Sequence, residues 1–136
     1  MRVRFAHLAD YANVTQEGKF NIMGVFDVIH ASGFPFAHPQ MLLVIGFEPD
    51  ISEQGQHKLV RVRLINDTGE KILEFAGRIV VGQATHGILP SHNHMLVLKN
   101  IAFPRPGTYQ FDIEIDEQHA GDVKLKVVHQ QSSSNM

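Results

Sequence analysis

Residues 103–128 read FPRPGTYQFDIEIDEQHAGDVKLKVV and predict a β-hairpin that follows a Pro-Gly corner. Apolar and polar side chains alternate along its first strand. The apolar residues are Tyr109, Phe111, Ile113 and Ile115, and the polar residues are Gln110, Asp112, Glu114 and Asp116. A period of two residues is typical of a strand that buries one face in an antiparallel sheet. The hairpin therefore predicts an all-β fold.

The rest of the chain repeats this pattern between turns rich in glycine, proline and asparagine. The alternation predicts about eight strands, at residues 2–10, 20–30, 40–47, 57–66, 70–81, 94–103 and in the closing hairpin. Short strands between such turns are typical of β-sandwiches. We expect an antiparallel, immunoglobulin-like β-sandwich in which residues 1–129 form a single domain. Residues 130–136, QQSSSNM, are expected to form a disordered tail.

The composition limits where and how the protein works. The 136 residues include no cysteine, which excludes disulfides, thiol nucleophiles and thiolate metal sites and favours a reducing compartment. Residues 1–15 have no signal-peptide pattern, and the longest apolar run, residues 41–47, is far shorter than the roughly 20 residues of a membrane-spanning helix. We therefore expect a cytoplasmic protein that does not bind membranes.

The charge of the chain argues against nucleic acid as a partner. The formal net charge is −2 with histidine neutral, whereas nucleic-acid binding normally depends on a basic surface. The nine histidines are the one unusual feature of the composition, and their protonation below about pH 6 would change the surface charge strongly.

One histidine-rich segment is a candidate metal site. Residues 85–94 read THGILPSHNH, and His92 and His94 are separated by one residue. On a strand these two side chains project from the same face, and His86 reaches them if the preceding loop folds back. Three imidazoles are enough to hold zinc, iron or copper with an open coordination position. This pattern predicts, as one alternative, a small metal-binding β-barrel.

The histidine segment is similar to half of the first cupin motif and departs from the rest of it. Cupins place a glutamate ligand shortly after the second histidine, where this chain has residues 95–99, MLVLK, without a carboxylate. Cupins also bring a further histidine from a second motif near a Pro-X-Gly turn, and no histidine follows Pro106-Gly107 closely. The alternative interpretation is that the three histidines line a polar loop and the start of a strand.

Other catalytic patterns are incomplete. The acidic side chains Asp112, Glu114 and Asp116 alternate with core residues, which favours a solvated sheet face over a catalytic carboxylate pair. Ser91 lacks the glycine-flanked turn of a hydrolase nucleophile, and no glycine-rich phosphate loop is present. We expect a protein that is not an enzyme and that carries no cofactor.

The strongest candidate for a binding surface is residues 34–47. The strand at residues 40–47 is apolar on both faces, and two phenylalanines precede it. A strand of this kind is either central in its sheet and covered on both sides, or part of a contact with another chain. The candidate interface residues are Phe34, Phe36, Met41, Leu43 and Ile45.

Two segments resemble a known family. Residues 9–27, ADYANVTQEGKFNIMGVFD, and residues 103–116, FPRPGTYQFDIEID, are similar to a family of small bacterial proteins catalogued only as a domain of unknown function. The resemblance covers residues 5–128. It implies a cytosolic bacterial β-sandwich and supplies no catalytic residues.

These patterns predict a non-enzymatic module that binds another protein or assembles with itself, for example as a homodimer. Two alternatives stay open. One is the metal-binding barrel with His86, His92 and His94, and the other is a sandwich that binds a small ligand in its interior or on one sheet face.

Overall fold

The computed structural model describes residues 1–130, which contain nine strands, one short 3₁₀ helix and no α-helix. In chain order these elements are β1 (Arg2–Val14), β2 (Phe20–Phe26), β3 (Val28–Ala31), β4 (Phe36–Glu48), the 3₁₀ helix (Ile51–Glu53), β5 (His57–Ile65), β6 (Lys71–Val80), β7 (His92–Phe103), β8 (Gly107–Ile115) and β9 (Gln118–His129). The predicted tail lies outside the described residues except for Gln130, whose backbone N–H donates to the carbonyl of Ala31.

The strands form two sheets whose inner faces share one apolar core. Sheet A has the order β2-β1-β4-β7, and sheet B has the order β3-β9-β8-β5-β6. Buried apolar side chains from both sheets form a single cluster. The prediction of an all-β protein is therefore confirmed, and its two sheets form a sandwich-like arrangement.

The chain passes from one sheet to the other at Asp27, between β2 and β3. The sequence predicts one strand at residues 20–30, but β2 pairs with β1 in sheet A and β3 pairs with β9 in sheet B. The β3–β9 pairing is parallel, so the expectation of purely antiparallel sheets is wrong at this pair. Strand β3 follows β2 directly in the chain and runs in the same direction as β9.

The closing hairpin forms as predicted. Strand β8 alternates between fully buried and half-buried residues, with Phe111 and Ile113 completely buried in the core. The ring of Tyr109 packs edge-on against Phe103, with a centroid distance of 4.9 Å, and its hydroxyl donates to the carbonyl of Arg105 at 2.6 Å. Its polar atom is thus satisfied where the ring is buried, as buried tyrosines require.

The hairpin of β1 and β2 bends back over the outer face of sheet A. The rings of Phe5 and Phe20 lie 6.0 Å apart, although Phe20 pairs with Val14 at the far end of β1. A straight strand would separate these two positions by about 30 Å. The bend coincides with Gly24, whose φ of +72° lies in the left-handed region that favours glycine. At the tip of the hairpin, the carbonyl of Gly18 accepts a hydrogen bond of 3.3 Å from the Asn93 side chain on β7.

This folded hairpin explains why β4 is apolar on both faces. On the inner face, the side chains of β4 enter the core between the sheets. On the outer face, Leu42 and Val44 form a second buried cluster with Ala12, and Phe20 and Ile22 of the hairpin pack against it. The prediction of a central strand covered on both sides is confirmed. Its cover comes from the same chain.

The two lateral sides of the sandwich differ in whether the chain connects the edges of the two sheets directly. On one side, the continuous segment from β2 to β3 connects the sheets at Asp27. On the other side, β6 ends sheet B and β7 ends sheet A, and within residues 1–130 no further strand pairs with either edge. The sandwich is therefore open between β6 and β7. We call this the open side.

Candidate functional site

His92 and His94 both point between the sheets at the open side. Their cross-strand partners on β4 are Phe47 and Ile45, whose side chains belong to the inner face. Alternation along β7 places both imidazoles on that same face. The two rings are parallel, with an interplanar angle of 1° and a centroid distance of 6.2 Å. The sequence prediction that these two side chains share a face is confirmed.

The third predicted ligand, His86, is in a different environment. It lies in the turn between Thr85 and Ile88, with a φ of +53° and an exposed side chain. Within residues 1–130 no group of three or more His, Asp or Glu side chains is placed to hold a metal ion. The structure thus brings together two of the three predicted ligands.

Both imidazoles favour their neutral form. Burial lowers the pKa of His92, because a charged ring is poorly solvated there. Burial also lowers the pKa of His94, and the neighbouring His92 lowers it further. The Nε2 atom of His92 lies 3.5 Å from the backbone N–H of Gly82, a long contact that suits an unprotonated nitrogen.

An apolar cleft lies between the two free edges. It has a volume of about 140 Å³. Its walls are Phe75, Ala76, Gly77, Arg78 and Ile79 of β6 with His94 and Leu96 of β7, and its floor is Ile45, Phe47, Val60 and Val62. The cleft continues the core because, among residues 1–130, neither sheet has a further strand to close this side. Arg78 is its one permanently charged lining residue.

The outer face of sheet B beside the cleft carries a network of ion pairs. Glu74 contacts Arg61, Arg63 and Lys71. Glu114 on β8 contacts the same two arginines. The acidic row of β8 therefore serves as a set of structural partners for β5, consistent with the predicted solvated sheet face. Hydrogen bonding by Arg63 lowers the pKa of Glu74, which stays ionised.

The predicted interface residues belong to the interior. Met41 and Leu43 are 0% exposed, and Ile45 is 2% exposed. Phe34 and Phe36 are half-buried and pack against the main core. A contact formed by the three β4 side chains would require the sheets to separate, so the described chain offers no surface at these positions.

The sequence analysis missed the exposed apolar side chains at the open side. Phe75 and Val80 of β6 are 37% and 52% exposed, and Met95 and Val97 of β7 are also exposed. The alternation of β6 predicts a strand, but its position at a sheet edge depends on pairings between distant parts of the chain. The one local signal is its sequence, KILEFAGRIV, which lacks the proline that protects many edge strands.

Comparison with known proteins gives a family without an assigned activity. No helix among residues 1–130 is long and apolar enough to cross a membrane. The search of curated proteins found no match. The chain matches the model of a family of unknown function, DUF6941, over residues 4–128, which confirms the resemblance seen in the sequence. This match spans nearly the whole described chain, and the protein therefore belongs to the DUF6941 family.

Proposed function

We propose that this protein is a non-enzymatic interaction module that binds a protein, either another polypeptide or a second copy of itself, through the open side. One observation carries the proposal. Strands β6 and β7 are free edges on the same side of the sandwich, and exposed apolar residues lie along both. Free edges of this kind present unpaired backbone groups that pair readily with another strand.

The charge of the protein supports a protein partner over nucleic acid. The net charge is −2, and Arg61 and Arg63 on the outer face of sheet B are neutralised by Glu74 and Glu114. A phosphate backbone would have to compete with these carboxylates. The absence of cysteine supports a cytoplasmic location, since small domains in oxidising compartments are commonly stabilised by disulfides.

The finer fold assignment is part of the same proposal. In immunoglobulin-like sandwiches a tyrosine near the start of a strand donates its hydroxyl to the backbone a few residues upstream. Tyr109 lies near the start of β8 and donates to the carbonyl of Arg105. This contact supports an immunoglobulin-like arrangement, in which one face or edge is commonly used for binding.

Site-specific crosslinking tests the proposed function. A photoreactive amino acid is placed at Val80 on β6, at Val97 on β7 and, as a control, at Lys124 on β9, which β8 and β5 separate from β6; all three positions are exposed. We expect one identified polypeptide, or the protein itself, to crosslink at an edge position and not at Lys124. If neither edge position crosslinks and the purified protein is monomeric, the proposal is overturned.

A second candidate function is the binding of a small amphiphile. The apolar cleft, with Arg78 at its rim, suits a ligand that has a short hydrocarbon chain and a carboxylate. Thermal unfolding in the presence of a medium-chain fatty acid would show a rise in the melting temperature, and Arg78→Ala would reduce it. An unchanged melting temperature would exclude this ligand class.

Metal binding stays a third proposal, supported by the parallel pair His92 and His94. Two imidazoles leave the remaining coordination positions to water or to a second chain. Elemental analysis of tag-free protein should find zinc, iron or copper at a fixed ratio to the chain, lost in His92→Ala. A metal content near zero would remove this alternative.

A further inference from the structure

Strand β6 is a long edge whose protection is limited to three charged side chains and a bulge opposite its first residues. It contains no proline, and its pairing with β5 is regular from Leu73 to Val80. Natural edge strands are commonly blocked by proline, bulges, inward-pointing charges or a covering segment. Within residues 1–130 no further strand pairs with the outer edge of β6, and most of its residues are exposed. An edge of this length with so little protection predicts a strand partner.

Two copies of β6 placed antiparallel, with Ala76 opposite Ala76, have complementary side chains at each paired position. The inner face then pairs Phe75 with Gly77, and Leu73 with Ile79. The outer face pairs Glu74 with Arg78, and Ile72 with Val80. Directly opposed residues in an antiparallel pair lie on the same face, so each of these pairs is geometrically consistent.

Three features of the single chain are explained by this pairing. Arg78 makes no ion pair within residues 1–130, whereas Arg61, Arg63 and Lys71 all contact Glu74, and the two arginines also contact Glu114. A Cβ added at Gly77 would meet no atom within 4 Å, so an aromatic ring has room there. Large apolar side chains on both faces of the edge, Phe75 and Val80, are exposed.

We propose that β6 pairs antiparallel with β6 of a second copy of this chain, centred on Ala76, so that the two B sheets form one continuous sheet. This inference rests on the proposed function and names its partner and its surface. The arrangement has two-fold symmetry, the commonest symmetry of protein dimers. The ring of the partner's Phe75 lies over Gly77, a cross-strand pairing known to stabilise glycine in sheets. It thereby closes the mouth of the apolar cleft.

The register is fixed by charge and by side-chain size. Moving the centre to Phe75 sets Arg78 opposite the partner's Ile72, and moving it to Gly77 sets Glu74 opposite the partner's Val80. Each of these two changes of register removes both Glu74–Arg78 ion pairs of the dimer and places the charged side chains opposite apolar ones. The Ala76-centred register alone among these three pairs opposite charges on the outer face.

Engineered disulfides test the register directly, because the chain has no cysteine of its own. At the symmetry axis, Ala76→Cys places two thiols directly opposite each other, at the short Cβ separation that a disulfide needs. The matched control is Val80→Cys, on the same face of the same strand, whose two copies lie about 26 Å apart along the paired strands. Under mild oxidation we expect a covalent dimer from Ala76→Cys and none from Val80→Cys.

Charge reversal tests the affinity. Arg78→Glu sets like charges opposite each other twice per dimer, and Arg78 makes no ion pair within residues 1–130 whose loss would affect folding. We expect the dimer dissociation constant, measured by sedimentation, to rise at least about tenfold. The control is Lys124→Glu, the same charge change on β9, which β8 and β5 separate from β6, and it should leave the dissociation constant unchanged.

The outcomes separate this inference from the proposed function. A dimer that becomes covalent in the Ala76→Cys variant and weakens with Arg78→Glu supports both. A dimer that does neither overturns the β6 pairing, while self-association through another surface remains. A protein that is monomeric at about 100 μM also overturns the pairing. The crosslinking at Val80 and Val97 then decides whether another polypeptide binds the open side.

Discussion

At Gly46 the ring of Phe5 occupies the space that a side chain would need. A Cβ built at this position overlaps the phenyl ring, which lies close to the backbone of β4 on the outer face of sheet A. The close approach seats Phe5 next to Phe20 and so helps to hold the folded hairpin against the sheet. This is a position where glycine is required by packing and not by backbone conformation.

Gly46→Ala should therefore destabilise the protein by about 1–3 kcal/mol, the usual cost of overpacking. The measurement is the urea midpoint at constant m-value. The matched control is Gly121→Ala in β9, where a Cβ would meet Val3 at an ordinary contact distance of 3.5 Å. We expect the control to change stability by less than about 0.5 kcal/mol. Equal effects of the two substitutions would contradict the role of the Phe5 ring.

The lowered pKa values of His92 and His94 predict how the stability of the protein depends on pH. Both are lowered in the folded state, so between the unfolded value near 6.5 and the folded values the unfolded chain binds more protons. Their contribution to stability is complete above pH 6.5 and is lost as the pH falls through the folded pKa values. We expect the His92→Asn/His94→Asn double variant to lose less stability between pH 7 and pH 5 than the wild type. Parallel urea-denaturation curves for the two proteins across this range would contradict the prediction.

At the scale of elements, the 3₁₀ helix connects the starts of β1 and β5 through Glu53. Both carboxylate oxygens of Glu53 lie 2.6 Å from the amino group of Met1, and one lies 2.7 Å from Nζ of Lys58. Burial alone would raise the pKa of Glu53, but hydrogen bonds from Lys58, the amino group of Met1 and the Asp50 backbone lower it to about 2. The carboxylate is thus a stabilising anion among surrounding donors.

Glu53→Gln should destabilise the protein at pH 7 by about 1–3 kcal/mol, because it leaves Lys58 partly buried without its main counter-ion. The pKa of Glu53 is depressed in the folded state, so this stabilisation is present above about pH 4.5 and is lost as the pH falls toward 2. Chemical denaturation at several pH values measures it. The control Glu48→Gln, in an exposed pair with Arg2, should change stability by less than about 0.5 kcal/mol.

The presence of most strands could be predicted from the sequence. Their predicted boundaries were wrong where the boundary does not depend on the local alternation of apolar and polar residues. Residues 20–30 are rich in apolar side chains on both sides of Asp27, so the sequence does not show the change of sheet there. In the structure the positions that pack in the core change phase at this point, from Phe26 in β2 to Ile29 and Ala31 in β3. Strand β4 begins at Phe36 and not at Gln40, because Pro39 can stay in the strand at a position without a paired partner.

The candidate site was predictable only in part. The shared face of His92 and His94 follows from a spacing of two residues along one strand. The cleft beside them needs the sheet order, because β6 and β7 become neighbours only through the pairings of β5 with β8 and of β4 with β7. The same limit explains why the sequence of residues 34–47 leaves open whether this strand is covered by its own chain or by another chain. Their cover, the β1–β2 hairpin, comes from a bend that the alternation of β1 does not indicate.

At the scale of the whole molecule, hydrogen exchange should distinguish the two free edges. If copies pair through β6, the amides of residues 73–80 exchange more slowly at high protein concentration than at low concentration, because dimer formation adds backbone hydrogen bonds there. The amides of β7 should exchange at the same rate at both concentrations. Concentration-dependent protection of β7 without protection of β6 would move the contact to the other edge of the open side.

The parallel pairing of β3 with β9 also has a kinetic consequence. Val28 lies beside Lys126, so this contact closes a loop that includes most of the described chain. Long loops cost entropy before their contacts give any stabilisation, and sandwiches rich in such contacts fold in milliseconds to seconds. The β1–β2 hairpin and β4 can assemble early, whereas β3 must wait for the last strand. Until β9 docks, the inner face of Val28–Ala31 has no neighbour in sheet B, which makes this short segment the point where a slowly folding chain is most exposed to chaperones and to aggregation.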